Sequence, residues 1–178
     1  MGMFDKKTED KEPKMQQGYD MFSGIDNAKV MEKDPYIDPG VYPLLYCSCL
    51  KAFQSKRDGQ SFFVAEFDIL DSNVESRPAG TRMALVINYS KSPEVKLNNI
   101  KTFLMRLTDS EEDEVTSEAF KLCCSEKNPC RGRLIRLEAV NATTKNGAKF
   151  LQCSWATVPE EVQAKAESLR NEAGFSPF

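Results

Sequence analysis

The sequence predicts a mainly β domain with some α: five antiparallel strands rolled into a barrel, helices between the third and fourth strands, and one more helix at the C-terminus. Three observations predict it. Runs rich in β-branched and aromatic residues recur with period-two alternation, the pattern of a strand with one buried face. Asp58-Gly59 and Asn146-Gly147 each separate two such runs, and these dipeptides suit tight hairpins because Gly takes φ > 0 without a steric penalty. Between the third and fourth runs the apolar period changes from two to three-and-four, then returns to two.

Taken in order, residues 1–20 are polar, charged and short of aliphatics, residues 21–39 alternate weak apolar residues with turn formers as a tether, and 1–35 are expected to be a flexible arm. Met21, Phe22, Ile25 and Val30 within it could dock on the barrel. Asp38-Pro39-Gly40 is a turn that opens the first strand, about 41–54. The second strand, about 61–71, puts Phe63, Ala65, Phe67 and Ile69 on one face and Glu66 and Asp68 on the other, wet one. Pro78 and Gly80 turn the chain into the third, about 82–90. Ser92-Pro93-Glu94 then reads as a helix start: a hydroxyl N-cap, proline at the first helical position and an acid in the first turn. Leu97, Ile100, Phe103, Leu104 and Leu107 form its apolar face over 93–107. A second helix, about 115–125, buries Val115, Ala119, Leu122 and Cys123. Asn128-Pro129 breaks it. The fourth strand, RGRLIRLEAV, and the fifth, FLQCSWATV, follow, with Trp155 on the core side. Pro159-Glu160-Glu161 opens the last helix, which Gly174 ends. The domain organisation is therefore an arm over 1–35, the barrel over 36–158, and a C-terminal helix and tail over 159–178.

Composition prunes the functions. The chain has no histidine, which removes histidine triads, histidine proton shuttles and histidine-ligated metals. Its six cysteines are spaced C-x-C, C-C and C-x5-C around a lone Cys153, not as paired C-x2-C, so free thiols and no metal or other cofactor are expected. Neither G-x-x-x-x-G-K-S/T nor G-x-G-x-x-G occurs. No run of about 18 apolar residues exists to span a bilayer, and the N-terminus has no secretory apolar core. Met1-Gly2 lacks the Ser or Thr that myristoylation calls for, since Lys6 stands there. The net charge of −3 hides a split. Residues 40–107 hold nine Lys/Arg against six Asp/Glu, and residues 129–155 hold five against one. The tails and the 108–128 connection, with its DSEEDE run, are acidic. Local charge sets the field at a groove, so the strand-forming segments are the basic ones.

The order strand, strand, strand, helix, strand, strand is that of an OB-fold, a Greek-key barrel that binds single strands through strands two and three and the loops 1–2 and 4–5. Those loops here carry Lys56 and Arg57, and Lys145 and Lys149. The stretch GVYPLLYCSCLKAFQSKRDGQSFFVAEFDILDS, followed by PAGTRMALVINYS and LNNIKTFL, resembles small single-stranded DNA-binding proteins of tailed phages over about residues 36–107. The resemblance implies a non-catalytic, sequence-tolerant binder of single-stranded DNA, acting in replication or recombination in the cytoplasm of an infected bacterial host. Candidate contacts are Lys51, Lys56, Arg57, Arg82, Arg131, Arg133, Arg136, Lys145 and Lys149 for phosphates, and Tyr46, Phe53, Phe62 and Tyr89 for base stacking. Strict alternation puts Tyr46 and Phe53 on opposite faces, so both can serve only if the strand bulges or bends with the barrel. Pro177-Phe178 is similar to the Pro-Phe tip of bacterial single-strand-binding proteins and implies a replication or recombination partner, although AGFSPF carries no acid. Two alternatives stay open: a protein-interaction module of the same fold, and a carboxylate-metal nuclease.

Overall fold

The computed structural model describes residues 36–176. The expectations for the N-terminal arm, including docking of Met21, Phe22, Ile25 and Val30, and for Pro177-Phe178 lie outside the described residues.

Five strands form one antiparallel sheet: β1 (Gly40–Gln54), β2 (Ser61–Asp71), β3 (Arg82–Asn88), β4 (Leu134–Thr143) and β5 (Lys149–Thr157). Their order across the sheet is β3-β2-β1-β4-β5. Both predicted hairpin glycines have positive φ, 69° at Gly59 and 80° at Gly147, as their turns require. Among the described residues there are four helices: α1 (Pro93–Thr108), α2 (Ser117–Cys123), α3 (Glu160–Gln163) and α4 (Ala166–Glu172).

The sheet rolls up but does not close. Trp155 of β5 and Phe67 of β2 lie three strands apart in the order, which is about 14 Å in a flat sheet. Their rings are 5.7 Å apart, so the inner face is strongly concave. No ladder joins β3 to β5, which corrects the expectation of a closed or nearly closed barrel. Phe103 of α1 contacts both rings, at 5.9 Å from Phe67 and 4.8 Å from Trp155, and plugs the mouth of the roll. Part of the β3 edge is taken by a parallel backbone bridge from Ala84 to Tyr36. That approach is locked by buried Arg77, which donates from Nε to Asp38 Oδ2 at 3.2 Å and from Nη2 to the Tyr36 carbonyl at 2.7 Å.

The inner face is apolar, as the alternation requires: Leu45, Leu50, Phe63, Phe67, Ile69, Met83, Ile135 and Leu137 are buried. Ile100, Phe103, Leu104 and Leu107 of α1 complete this core, whereas Leu97 is exposed. Ser92 does not cap α1: it adopts a left-handed φ of 54° and its side chain makes no capping bond. Proline at the first helical position still presets φ for the helix and has no N–H there to satisfy. Leu122, expected on the buried face of α2, is exposed, whereas Cys123 is buried.

The C-terminal region differs most. One continuous helix is expected; the structure breaks it into α3 and α4 around Ala164 and Lys165. Together they cover one end of the outer face of the sheet, forming a second core from Tyr46, Leu134, Val158 and Ala166. Gln163 bridges to β4 with both amide atoms, accepting from Leu134 N–H at 2.8 Å and donating to its carbonyl at 2.7 Å.

Candidate nucleic-acid interface

The outer faces of β1, β2 and β3 present one continuous three-strand surface. Cross-strand register puts Lys51 opposite Val64, Phe53 opposite Phe62, Glu66 opposite Ala84 and Asp68 opposite Arg82. All these outward residues alternate with the buried inner set. A groove of about 540 Å³ lies on this face, lined by Ser48, Cys49, Val64, Glu66, Arg82, Ala84, Val86 and Arg131. Its floor is low because Ala84 and Cys49 flank Glu66 on the neighbouring strands.

A bulge in β1 builds the face. The register with β2 shifts between Cys47 and Cys49, so Ser48 is the extra residue. The shift brings Tyr46 and Phe53 to the same, outer face, which strict alternation forbade. The segment before β4 packs on the bulge: Gly132 N–H donates to the Cys47 carbonyl at 3.0 Å, and Cys47 N–H to the Arg133 carbonyl at 2.9 Å. This pairing carries Arg131 to the rim of the groove.

The aromatic candidates separate. Phe53 and Phe62 stack on each other, centroids 5.7 Å apart and planes within 24°, and Phe53 remains half exposed. Tyr46 is on the right face but buried under α4, where its hydroxyl donates to Glu167 Oε1 at 2.5 Å and Arg170 lies 5.0 Å over its ring. Burial, helped by the Glu167 bond, pushes its pKa up to about 12. Tyr89 packs against the inner core, on the same side as Ile87. Neither tyrosine can stack on a ligand in the groove. Alternation along β3 from Met83 already assigned Tyr89 inward, a signal that was available in the sequence.

The cations separate too. Lys51 Nζ meets Glu66 Oε1 at 2.8 Å, a bond that raises the Lys51 pKa. Arg82 meets Asp68 Oδ1 at 3.0 Å while its side chain stays 69 % exposed, so it can still reach a ligand. Lys56 and Arg57 are exposed in the β1–β2 turn, which Asp58 organises by accepting from Gln60 N–H at 3.2 Å. Bonds with Ser55 and with that backbone hold the Asp58 carboxyl below its ordinary pKa. Arg133 is not in the groove: its guanidinium donates to the Leu107 and Thr108 carbonyls, where a cation complements the C-terminus of α1. Arg136 is exposed on the outer face of β4, opposite Ala156. Lys145 and Lys149 lie exposed on the β4–β5 hairpin. That hairpin is at the other end of β1 from Lys56 and Arg57, because Gly40 pairs with Ala139 while Gln54 leads into the first turn. The predicted set therefore divides into Arg82 and Arg131, which line the groove, Lys51, Phe53 and Phe62 on the same face beside it, an adjoining turn with Lys56 and Arg57, and a remote group of Arg136, Lys145 and Lys149.

Sequence reasoning missed one feature. Asp68, read as facing water, is fully buried, and Arg170 Nε donates to its Oδ2 at 2.8 Å from a side chain only 1 % exposed. Arg170 also donates to the Ser176 carbonyl, and Phe175 lies 5.6 Å from both the Arg82 and the Arg170 guanidinium. The C-terminal segment thus closes one end of the groove. An acid in mid-strand and an arginine on the apolar stripe of the last helix were the available signals.

All six cysteines are free thiols. Cys130 Sγ donates to Cys123 Sγ at 3.2 Å in the core, which lowers the Cys123 pKa, while burial raises that of Cys47. Among the described residues no three Cys, Asp or Glu side chains gather as metal ligands, and no helix is long and apolar enough to cross a membrane. No family model matches the chain, and no curated protein matches it.

Proposed function

We propose that the protein binds single-stranded DNA without catalysis, along the outer face of β1–β3, as an OB-like domain opened between β3 and β5. The strand order β3-β2-β1-β4-β5 supports the OB reading, since joining its two ends would make a five-stranded barrel. The observation that carries the function is the groove itself. It sets an exposed aromatic stack, Phe53 on Phe62, beside an apolar floor of Val64 and Val86 and a rim of Lys51, Arg82 and Arg131. Single-strand binders combine these two elements: a π surface that accepts any base, and cations that track the backbone. The strand would enter over Lys56 and Arg57, stack on Phe53 or Phe62, and pass the Arg131 rim toward Arg82. Arg136, Lys145 and Lys149 would meet only a longer strand that continues round the domain. The role in phage replication or recombination, and a partner engaged through Pro177 and Phe178, belong to this proposal.

Cys49 supplies the test, because its partly exposed thiol lines the groove. Oligo-dT should slow maleimide labelling of Cys49, read by peptide mass, and leave labelling of Cys153 on β5 unchanged. Equal Cys49 labelling with and without a saturating single strand would reject the groove as the site.

A further inference from the structure

Glu66 differs from every other charged group on the groove floor. It stands at the centre of the three-strand face, between Cys49 and Ala84, so its carboxylate rises above small neighbours. Lys51 Nζ donates to Oε1 and fixes the group in place. Ser48 Oγ donates to the Glu66 main-chain carbonyl, not to the carboxylate. Among the described residues, Oε2 receives no donor, and the side chain is 44 % exposed. A carboxylate repels phosphate, so it cannot serve the backbone of a bound strand. It can accept an N–H.

The bases differ in what they offer it. Cytosine N4 and adenine N6 carry amino donors, whereas thymine presents O4, an acceptor, at the same place. Same-face neighbours on a strand are about 7 Å apart. A base resting on Val64 and Val86, with its ring edge against Phe62, therefore turns its opposite edge toward Glu66. Thymine in that position would offer only its N3–H, flanked by the acceptors O4 and O2, which the carboxylate repels.

We infer that Glu66 is a specificity-determining residue that accepts a hydrogen bond from the exocyclic amino group of a bound base, biasing the groove toward cytosine and adenine over thymine. The inference rests on the single-strand reading above and adds a base preference to otherwise tolerant binding. The Lys51–Glu66 pair alone, as an ordinary cross-strand contact, would give no such bias.

The test is fluorescence anisotropy with labelled oligo-dC, oligo-dA and oligo-dT of one length at one salt concentration. The wild type should bind oligo-dC and oligo-dA about 10-fold tighter than oligo-dT, the factor one hydrogen bond to a charged group carries. Glu66→Val should erase that ratio by weakening oligo-dC and oligo-dA, while oligo-dT binding holds or tightens as a negative charge leaves the groove. If Glu66→Val does not fold, Glu66→Gln must reduce the ratio, since a neutral amide oxygen accepts about half as strongly. Equal wild-type affinity for the three oligonucleotides, or a full preference retained in the variants, overturns the inference and leaves the single-strand reading standing. Failure to bind any of the three at low salt overturns both.

Discussion

Replacing Arg170 by methionine should destabilise the domain far more than the same change at Arg82, although both arginines bind the same carboxylate. Asp68 has no exposure, and its two partners differ sharply: the Arg170 side chain is 1 % exposed and that of Arg82 is 69 % exposed. Methionine keeps most of the apolar stem and removes the charge. Breaking a buried pair leaves the remaining charge desolvated and costs about 3 to 5 kcal/mol. Arg82 still holds Oδ1 at 3.0 Å, which puts Arg170→Met at the lower end, about 3 kcal/mol. For a domain of this size that lowers the melting temperature by about 6 to 12 °C. Arg82→Met should cost at most about 1 kcal/mol, as for an exposed pair. The double change Asp68→Leu with Arg170→Met should recover much of the loss, because no buried charge is then left unpaired. The assay is urea unfolding followed by far-UV circular dichroism and by the fluorescence of Trp155, the single tryptophan. Equal losses for Arg170→Met and Arg82→Met would refute the reasoning. So would a helical signal lost well before the Trp155 signal in the wild type, since the C-terminal helices would then not belong to the cooperative unit.

Two further outcomes follow from the same geometry. The folded-state pKa of Tyr46, raised to about 12 by burial and the Glu167 bond, makes its contribution fully present below pH 10 and lost as pH rises toward 12. The wild type should therefore lose about 2 to 3 kcal/mol more than Tyr46→Phe across that window, by urea titrations at each pH. Gly40 has φ 147°, and a Cβ there would lie 2.2 Å from Val74 Cγ2. Gly40→Ala should lower the melting temperature, and Val74→Ala in the same chain should restore part of the loss; an unchanged melting point for Gly40→Ala would contradict the packing described at the start of β1.

Much of the fold was legible because it follows from local rules. The bounds of β2 and the turns at Gly59 and Gly147 are fixed by alternation and by residues that tolerate positive φ, and all are local. What the sequence hid depends on contacts between distant segments. Alternation correctly set Asp68 opposite Phe67, but a period says which face a residue takes, not what later covers that face; α4, about a hundred residues on, buries it. The Ser48 bulge is invisible to a period-two count, and it alone decides that Tyr46 and Phe53 share a face. The open edge between β3 and β5 is likewise out of reach of a local rule: Tyr36 bridges to Ala84 on β3, and Phe103 of α1 packs on Trp155 of β5. The candidate site was legible as chemistry and not as a place. Arg82 and Arg131 line the groove and Lys51, Phe53 and Phe62 share its face, whereas Arg133 serves a helix end and Lys145 and Lys149 lie at the far end of β1.

The most direct test of the central claim is the affinity of the whole chain for oligo-dT across a salt series, in the wild type, in Lys56→Ala/Arg57→Ala and in Phe62→Ala. Binding should weaken with salt, and the double variant should flatten the logarithmic slope by about 1.4, at ~0.7 for each single-strand phosphate contact. Phe62→Ala should lose about 1 to 3 kcal/mol of affinity and keep the slope, because stacking is not ionic. No binding by the wild type even at ~50 mM salt, where phosphate-driven association is strongest, would contradict the account and leave the face of β1–β3 to a protein partner.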